Sequence, residues 1–170
     1  IYIANHASYL DAVVLISLLP IGVKFVAKKE LMKVPLLSVI LKKLNMITVD
    51  RIDFVANIND TDIIANTLKS GGSVGIFPEG TFTYATGLRP FKMGAFKVAA
   101  QTLTPICPIA IKGTRNILRD DEFIFSPGII TVTIGEQLIP QSTDWSESIN
   151  LHKLARDMIA QHCGEPIIDY

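Results

Sequence analysis

A histidine and an aspartate five residues apart, in Asn5-His6-Ala7-Ser8-Tyr9-Leu10-Asp11, are the first side chains of this sequence equipped for chemistry. A carboxylate that accepts from one imidazole nitrogen fixes the tautomer and leaves the other nitrogen as a base toward a pocket. Such a base contributes roughly 10²–10⁴-fold in rate. Without a nucleophilic side chain beside it, the pair suits activation of a substrate hydroxyl. In an ideal helix, residues five apart point about 140° from one another. The two therefore meet only if His6 lies on the turn before a helix and Asp11 in its first turn. Ser8 supports that placement, because Ser8-x-x-Asp11 has capping-box spacing with Asp where Glu is commoner. The spacing equally describes a plain helix start, with Ser8 as N-cap, Asp11 as a first-turn charge and His6 as an ordinary turn residue.

Three more stretches end apolar runs in polar groups. SVGIFPEGT (73–81) reads as a strand closing in Pro78-Glu79-Gly80-Thr81, and the carboxyl edge of an open α/β sheet is where ligands bind. Gly80 lets the backbone approach a ligand closely, and Thr81 offers a hydroxyl. MITVDR (46–51) puts Arg51 at a strand end, where a guanidinium holds a phosphate in bidentate fashion or pairs with Asp50 or Asp53. TPICPIAIKG (104–113) is a strand bracketed by two prolines and reads as architecture.

The elements that must position these groups follow from hydrophobic period. Runs rich in β-branched residues recur at 2–4, 23–27, 46–49, 73–77, 106–111 and 129–134. Helical patterns lie between them. Residues 8–19 are apolar nearly all round, which implies burial or a membrane interface. Leu36, Leu37, Ile40, Leu41 and Leu44 form one stripe flanked by Lys33, Lys42 and Lys43. Shorter helices are expected at 61–68 and 92–101, and a last one at 145–162, before Gly164. Alternating strands and helices predict a single α/β domain over 1–170, a mixed, largely parallel sheet flanked by helices. Residues 80–92 follow neither period, and a loop of that length in a compact domain is usually functional.

Composition bounds the rest. A chain of 170 residues suits one domain that buries roughly 70% of its unfolded surface. The longest apolar run, 12–23, is interrupted by Ser17, Pro20 and Gly22 and falls short of the ~20 residues of a spanning helix. Because the chain starts at Ile1 and not Met, it is expected to be a piece of a longer protein. Zero net charge argues against nucleic acid as a partner. Residues 1–51 nevertheless carry seven Lys/Arg against three Asp/Glu, and the remainder nine against thirteen. Cys107 and Cys163 show no metal spacing and read as reduced thiols. There is no Gly-x-Ser-x-Gly elbow of a serine hydrolase.

Taken in order, NHASYLD (5–11), MITVDR (46–51), FPEGT (77–81) and TPICPIAI (104–111) resemble the four blocks of the glycerolipid acyltransferase family. Residues 27–45 and 88–101 are similar to it as well. The resemblance implies that His6 is the general base and that Asp11 orients it and stabilises its charge. The acceptor hydroxyl then attacks an acyl thioester on coenzyme A or acyl carrier protein, with no acyl-enzyme, no ATP and no metal. It assigns Arg51, Glu79, Gly80 and Thr81 to the acceptor phosphate side, and Ile106 and Pro108 to the acyl-donor side. Carboxylate repels phosphate, so Glu79 is expected to bond a glycerol hydroxyl or to brace Arg51 or Thr81. The family commonly has arginine after EGT, where this chain has Phe82. Either Arg89 or Lys92 folds back to replace it, or the acceptor phosphate is placed differently. The implied acceptor is a lysophosphatidic acid, with another lysophospholipid, glycerol 3-phosphate or a non-catalytic lipid-binding role as alternatives. A lipid substrate also implies peripheral contact with the cytoplasmic face of a membrane, through Lys24, Lys28, Lys29, Lys33, Lys42 and Lys43 or through an anchor outside this sequence.

Overall fold

The computed structural model describes residues 1–33, 35–44, 46–49, 58–83, 85–118 and 125–168. Its strands are β1 (Tyr2–Ala4), β2 (Lys24–Lys28), β3 (Ile47–Val49), β4 (Val74–Ile76), β5 (Cys107–Lys112) and β6 (Thr131–Ile134). They form one sheet in the order β3-β2-β4-β1-β5-β6. Neighbours are parallel from β3 to β5, and β6 runs antiparallel to β5. Every strand lies within a residue or two of its expected place. The mixed, largely parallel α/β sheet flanked by helices is the architecture expected from the alternation of periods.

Because strand side chains alternate between faces, the sheet divides the core in two. Ile3, Val74, Ile76, Ile106 and Ala110 face one side. There they meet α3 (Ile58–Lys69), α4 (Gly94–Thr102) and α6 (Trp145–Cys163). Ala4, Phe25, Cys107, Ile109 and Ile111 face the other side, under Leu15 of α1 (Leu10–Leu18). Gly75 belongs to this second face for a steric reason: a Cβ there would stand 2.6 Å from the Phe25 ring. The Phe25 ring can lie over β4 on that face only because its paired neighbour has no side chain.

The final helix packs on the core. Leu151, Ala155, Ile159 and Cys163 of α6 are buried against β5 and α4. Burying a Leu or Ile side chain stabilises by about 1.5–3 kcal/mol, so this face is a substantial part of the fold. Beyond Gly164, the Leu88 amide donates to the Pro166 carbonyl and the Ile168 amide to the Leu88 carbonyl. The irregular segment after β4 is thereby stitched to the end of the chain. Helix α1 is shorter than the apolar run suggested, and only Asp11 and Leu15 of it are buried. Tyr9, Val13 and Leu18 remain exposed. The lysine-flanked stripe forms α2 (Pro35–Lys43), entered through a 3₁₀ turn at Lys29–Lys33. A single helical turn, α5 (Thr114–Ile117), follows β5 and was not apparent from the sequence, because four residues are too few to show a period.

For function, the decisive feature is the run β4-β1-β5. These three neighbours are parallel, so their carboxyl ends open at one edge of the sheet. Residues 5–11, 77–81 and 113–118 leave from that edge together.

Candidate active site

His6 follows β1 and stands before α1, and Asp11 lies in the helix's first turn. His6 Nδ1 is 3.0 Å from Asp11 Oδ2. The pair therefore touches across the bend, as the functional reading requires. The helix-start reading holds as well: the Asp11 carboxylate also accepts from the main-chain amides of Ala7 (2.6 Å) and Ser8 (2.8 Å). It fulfils half of a capping box. The other half is absent, because Ser8 Oγ donates to the Leu118 carbonyl at 2.7 Å and accepts from the Leu10 amide. Ser8 is fully buried and engaged on both counts, which leaves it no part as a nucleophile.

The imidazole lies between two aromatic rings. Phe77 stacks on it at 4.2 Å between centroids, and Phe82 meets it edge-on at 4.5 Å. Phe82 also packs edge-on against Tyr9. In the position where arginine is common, this chain has a wall of the histidine's pocket.

His6 lines a cavity of about 440 Å³ together with Gly80, Thr81 and Phe82. The remaining walls are largely apolar, among them Phe25, Leu31, Leu41 and Met46. Lys28, at the carboxyl end of β2, is the one Lys or Arg lining it among the described residues. A chamber with an imidazole, the Tyr9 and Thr81 side chains and one cation in an otherwise apolar wall fits a molecule that has a long hydrocarbon part and a small polar head.

Glu79 is buried, and its carboxylate turns to the main chain. Oε1 accepts from the His6 amide at 2.7 Å, and Oε2 from the Arg89 amide at 2.9 Å. Among the described residues it braces backbone on both sides of the site, at His6 and at Arg89. Burial pushes its carboxyl up to about 7 from an ordinary 4.5; the two amide donors oppose the shift, while the Asp11 and Glu165 carboxylates add to it. Gly80 turns the chain with φ +78, a conformation glycine adopts without strain. Thr81 reaches the cavity, its hydroxyl 3.3 Å from the Phe82 carbonyl.

Other anticipated residues are placed elsewhere. Arg51, with Asp50 and Asp53, lies outside the described residues. Neither Arg89 nor Lys92 lines the cavity; the Arg89 guanidinium is 3.5 Å from the Thr83 hydroxyl, and the Lys92 amide donates to the Pro78 carbonyl. Ile106 and Pro108 do not line it either. Ile106 is fully buried on the opposite face of the sheet and exchanges main-chain hydrogen bonds with Leu138. The carbonyl of Pro108 accepts from the Gly135 amide. The architectural reading of that block is the one the packing supports. Cys107 and Cys163 are free and buried, on opposite faces of the sheet. No group of three or more His, Cys, Asp or Glu arranged to hold a metal occurs among the described residues.

Two positions were given no role by the sequence reading, Asn5 although it opens the NHASYLD block and Thr114 because it lies in no motif. Asn5 extends the pairing of β1 with β5 through its side chain, donating to the Ile111 carbonyl (2.8 Å) and accepting from its amide (2.7 Å). The Thr114 hydroxyl donates to Asp11 Oδ1 at 2.6 Å. The signal available was position alone: Asn5 and Thr114 each follow the end of a central strand.

The comparison with known proteins agrees with this geometry. The model of the family described as Acyltransferase matches residues 1–112 of the 170. The chain belongs to the acyltransferase family. Among its relatives is the 1-acyl-sn-glycerol-3-phosphate acyltransferase of Cocos nucifera, 35% identical over 86% of this chain and 47% of the relative. That of Saccharomyces cerevisiae is 34% identical over 85% of this chain and 48% of the relative. The chain thus spans about half the length of the curated relatives it matches. The crystal structure of the 1-acyl-sn-glycerophosphate (LPA) acyltransferase PlsC from Thermotoga maritima superposes with a TM-score of 0.76. It is 26% identical and is matched over 63% of its length by 94% of this chain. In this acyltransferase chain the matched region carries the dyad, the FPEGT turn and all of β5.

Proposed function

We propose that this acyltransferase moves a fatty acyl group from a thioester to the free hydroxyl of a lysophosphatidic acid. The observation that carries the reading is the His6–Asp11 contact at 3.0 Å, with the ring lining an otherwise largely apolar cavity. Asp11 accepts from Nδ1–H, so Nε2 is the basic nitrogen. It takes the acceptor's O–H proton as that oxygen attacks the thioester carbonyl carbon. The C–S bond then breaks, and the departing sulfur takes the proton back from the imidazolium. The products are the ester and a free thiol, on coenzyme A or on acyl carrier protein. No acyl-enzyme forms.

Lys28 is the cation that would meet the acceptor phosphate, with Thr81 lining the same cavity and, by resemblance, Arg51. A cation-to-phosphate bond is among the stronger polar contacts, and one lysine in an apolar wall orients the head group while the hydrocarbon fills the remaining volume. Glu79 positions the main chain around the base and does not touch the substrate.

The acceptor arrives from a bilayer. Tyr9, Val13, Ile21, Leu31 and Leu44 are exposed on the elements that border the cavity and a neighbouring concavity containing Ile21, Lys43 and Leu44. Each lysine near an anionic leaflet contributes about 1 kcal/mol. No helix among the described residues is long and apolar enough to cross a membrane.

The test is thiol release from acyl-CoA and from acyl carrier protein thioester, with lysophosphatidic acid, lysophosphatidylethanolamine or glycerol 3-phosphate as acceptor. Release that requires lysophosphatidic acid is the expected result. Release without any acceptor would indicate hydrolysis, and no release with any combination would indicate a lipid-binding module; either outcome overturns the proposal.

A further inference from the structure

Asp11 is held on both oxygens. Oδ2 faces His6 Nδ1 and the amides of Ala7 and Ser8. Oδ1 has one donor among the described residues, the Thr114 hydroxyl. Thr114 is fully buried, does not line the cavity, and lies two residues beyond the stretch that the family model matches. It is one of three points at which residues 111–118 grip residues 5–11, the others being Ile111 to Asn5 and Leu118 to Ser8. The terminal torsion of an aspartate is broad and roughly two-fold. Three donors on one oxygen and none on the other would let the carboxylate rock, and with it the ring.

We infer that Thr114 is a positioning residue for the dyad: its hydroxyl pins Oδ1, which fixes the direction from which Oδ2 meets Nδ1. The inference rests on His6 being the base. It also explains why a single helical turn is built at the end of β5. Gly113 takes φ +95 to start that turn, and a Cβ there would come within 2.1 Å of the Ile129 carbonyl oxygen. The turn brings residue 114 beneath the neighbouring strand's helix.

Thr114→Val keeps the shape and removes the donor, and Thr114→Ser keeps the donor and removes a methyl. With acyl-CoA and lysophosphatidic acid, the valine variant is expected to lose about 10- to 100-fold in kcat, the scale of one hydrogen bond to a charged group. KM for either substrate stays within twofold, and the serine variant recovers kcat to within threefold of the native chain. Native kcat in the valine variant, an equal loss in KM, or a serine variant as impaired as the valine one would overturn the inference. If the valine variant does not fold, Thr114→Cys, with a far weaker donor, should fall between serine and inactivity; native kcat there is equally fatal. An inactive native chain would instead sink the proposed function, so the two failures are distinguishable.

Discussion

Replacing Asp11 by asparagine separates the two jobs its carboxylate performs. The amides of Ala7 and Ser8 both point at Oδ2, so the asparagine must turn its carbonyl oxygen there. The opposite orientation would set an NH₂ against two N–H donors. With the carbonyl so placed, His6 still donates from Nδ1, and the neutral tautomer with a basic Nε2 survives. The Thr114 hydroxyl can rotate to accept from the new NH₂. What disappears is the negative charge facing the imidazolium that forms as the acceptor is deprotonated. Unit charges about 4 Å apart at an effective dielectric of about 20 attract by about 4 kcal/mol. At 1.36 kcal/mol per decade that is roughly 10³ in rate. Steady-state thiol release, with circular dichroism to verify folding, should show kcat down by about 10²–10³ and both KM values within threefold. A folded variant with kcat within threefold of native would refute the charge-stabilising role, and a loss confined to KM would return Asp11 to a helix-start residue.

Three further outcomes follow from the same contacts. His6→Ala should lower kcat by at least about 10²-fold while leaving a folded chain; near-native turnover in the thiol assay would remove His6 from the mechanism. Lys28→Ala should raise KM for lysophosphatidic acid about 10- to 100-fold, as for one bond to a charged group, and leave KM for an unphosphorylated monoacylglycerol unchanged; equal effects on both acceptors would refute the phosphate role. Glu79 holds its proton to about pH 7 when folded and to about 4.5 when unfolded. Its contribution to stability is therefore complete below pH 4.5 and is lost as pH rises to 7, by up to about 3 kcal/mol. Glu79→Gln has no such titration, so urea unfolding at pH 5 and pH 8 should show the variant gaining on the native chain at the higher pH. A pH-independent difference would refute the buried titration.

The sheet was legible in the sequence because its strands are short runs of β-branched residues separated by helical periods, and parallel order follows from that alternation. The dyad was legible for a different reason: spacing alone equally described a plain helix start, and it was the four blocks taken in order that pointed to His6 and Asp11 as a pair. Ile106 and Pro108 illustrate the limit. They are adjacent to the site in sequence pattern, yet strand alternation carries them to the opposite face from the cavity, and which face holds the cavity is settled by the packing of α1 and α2. Lys28 and Thr114 illustrate the converse. Nothing local distinguishes Lys28 from Lys29, or Thr114 from any threonine after a strand. The roles proposed for them come from the strand order, which is a long-range property. Glu79 fell between these cases: a bracing role was expected of it, but its two amide partners are 73 and 10 residues away.

That strand order also explains how a base can be held firmly on a bend. The amides of His6, Ala7 and Ser8 are consecutive, and each donates to a carboxylate: the first to Glu79, the other two to Asp11. Helix starts leave such donors without intrahelical partners. Here two acids from different parts of the chain absorb all three, and the Leu10 amide goes to Ser8 Oγ. Glu79 comes from the end of β4 on one side of β1, and Thr114, which pins Asp11, from the end of β5 on the other. The bend that carries His6 is therefore clamped from both neighbouring strands before any substrate arrives. Groups held in place in advance need no reorganisation at the moment of reaction. In this arrangement the buried Glu79 carboxyl, costly as its burial is, sets where His6 stands, and under the proposed mechanism Asp11 sets which nitrogen acts.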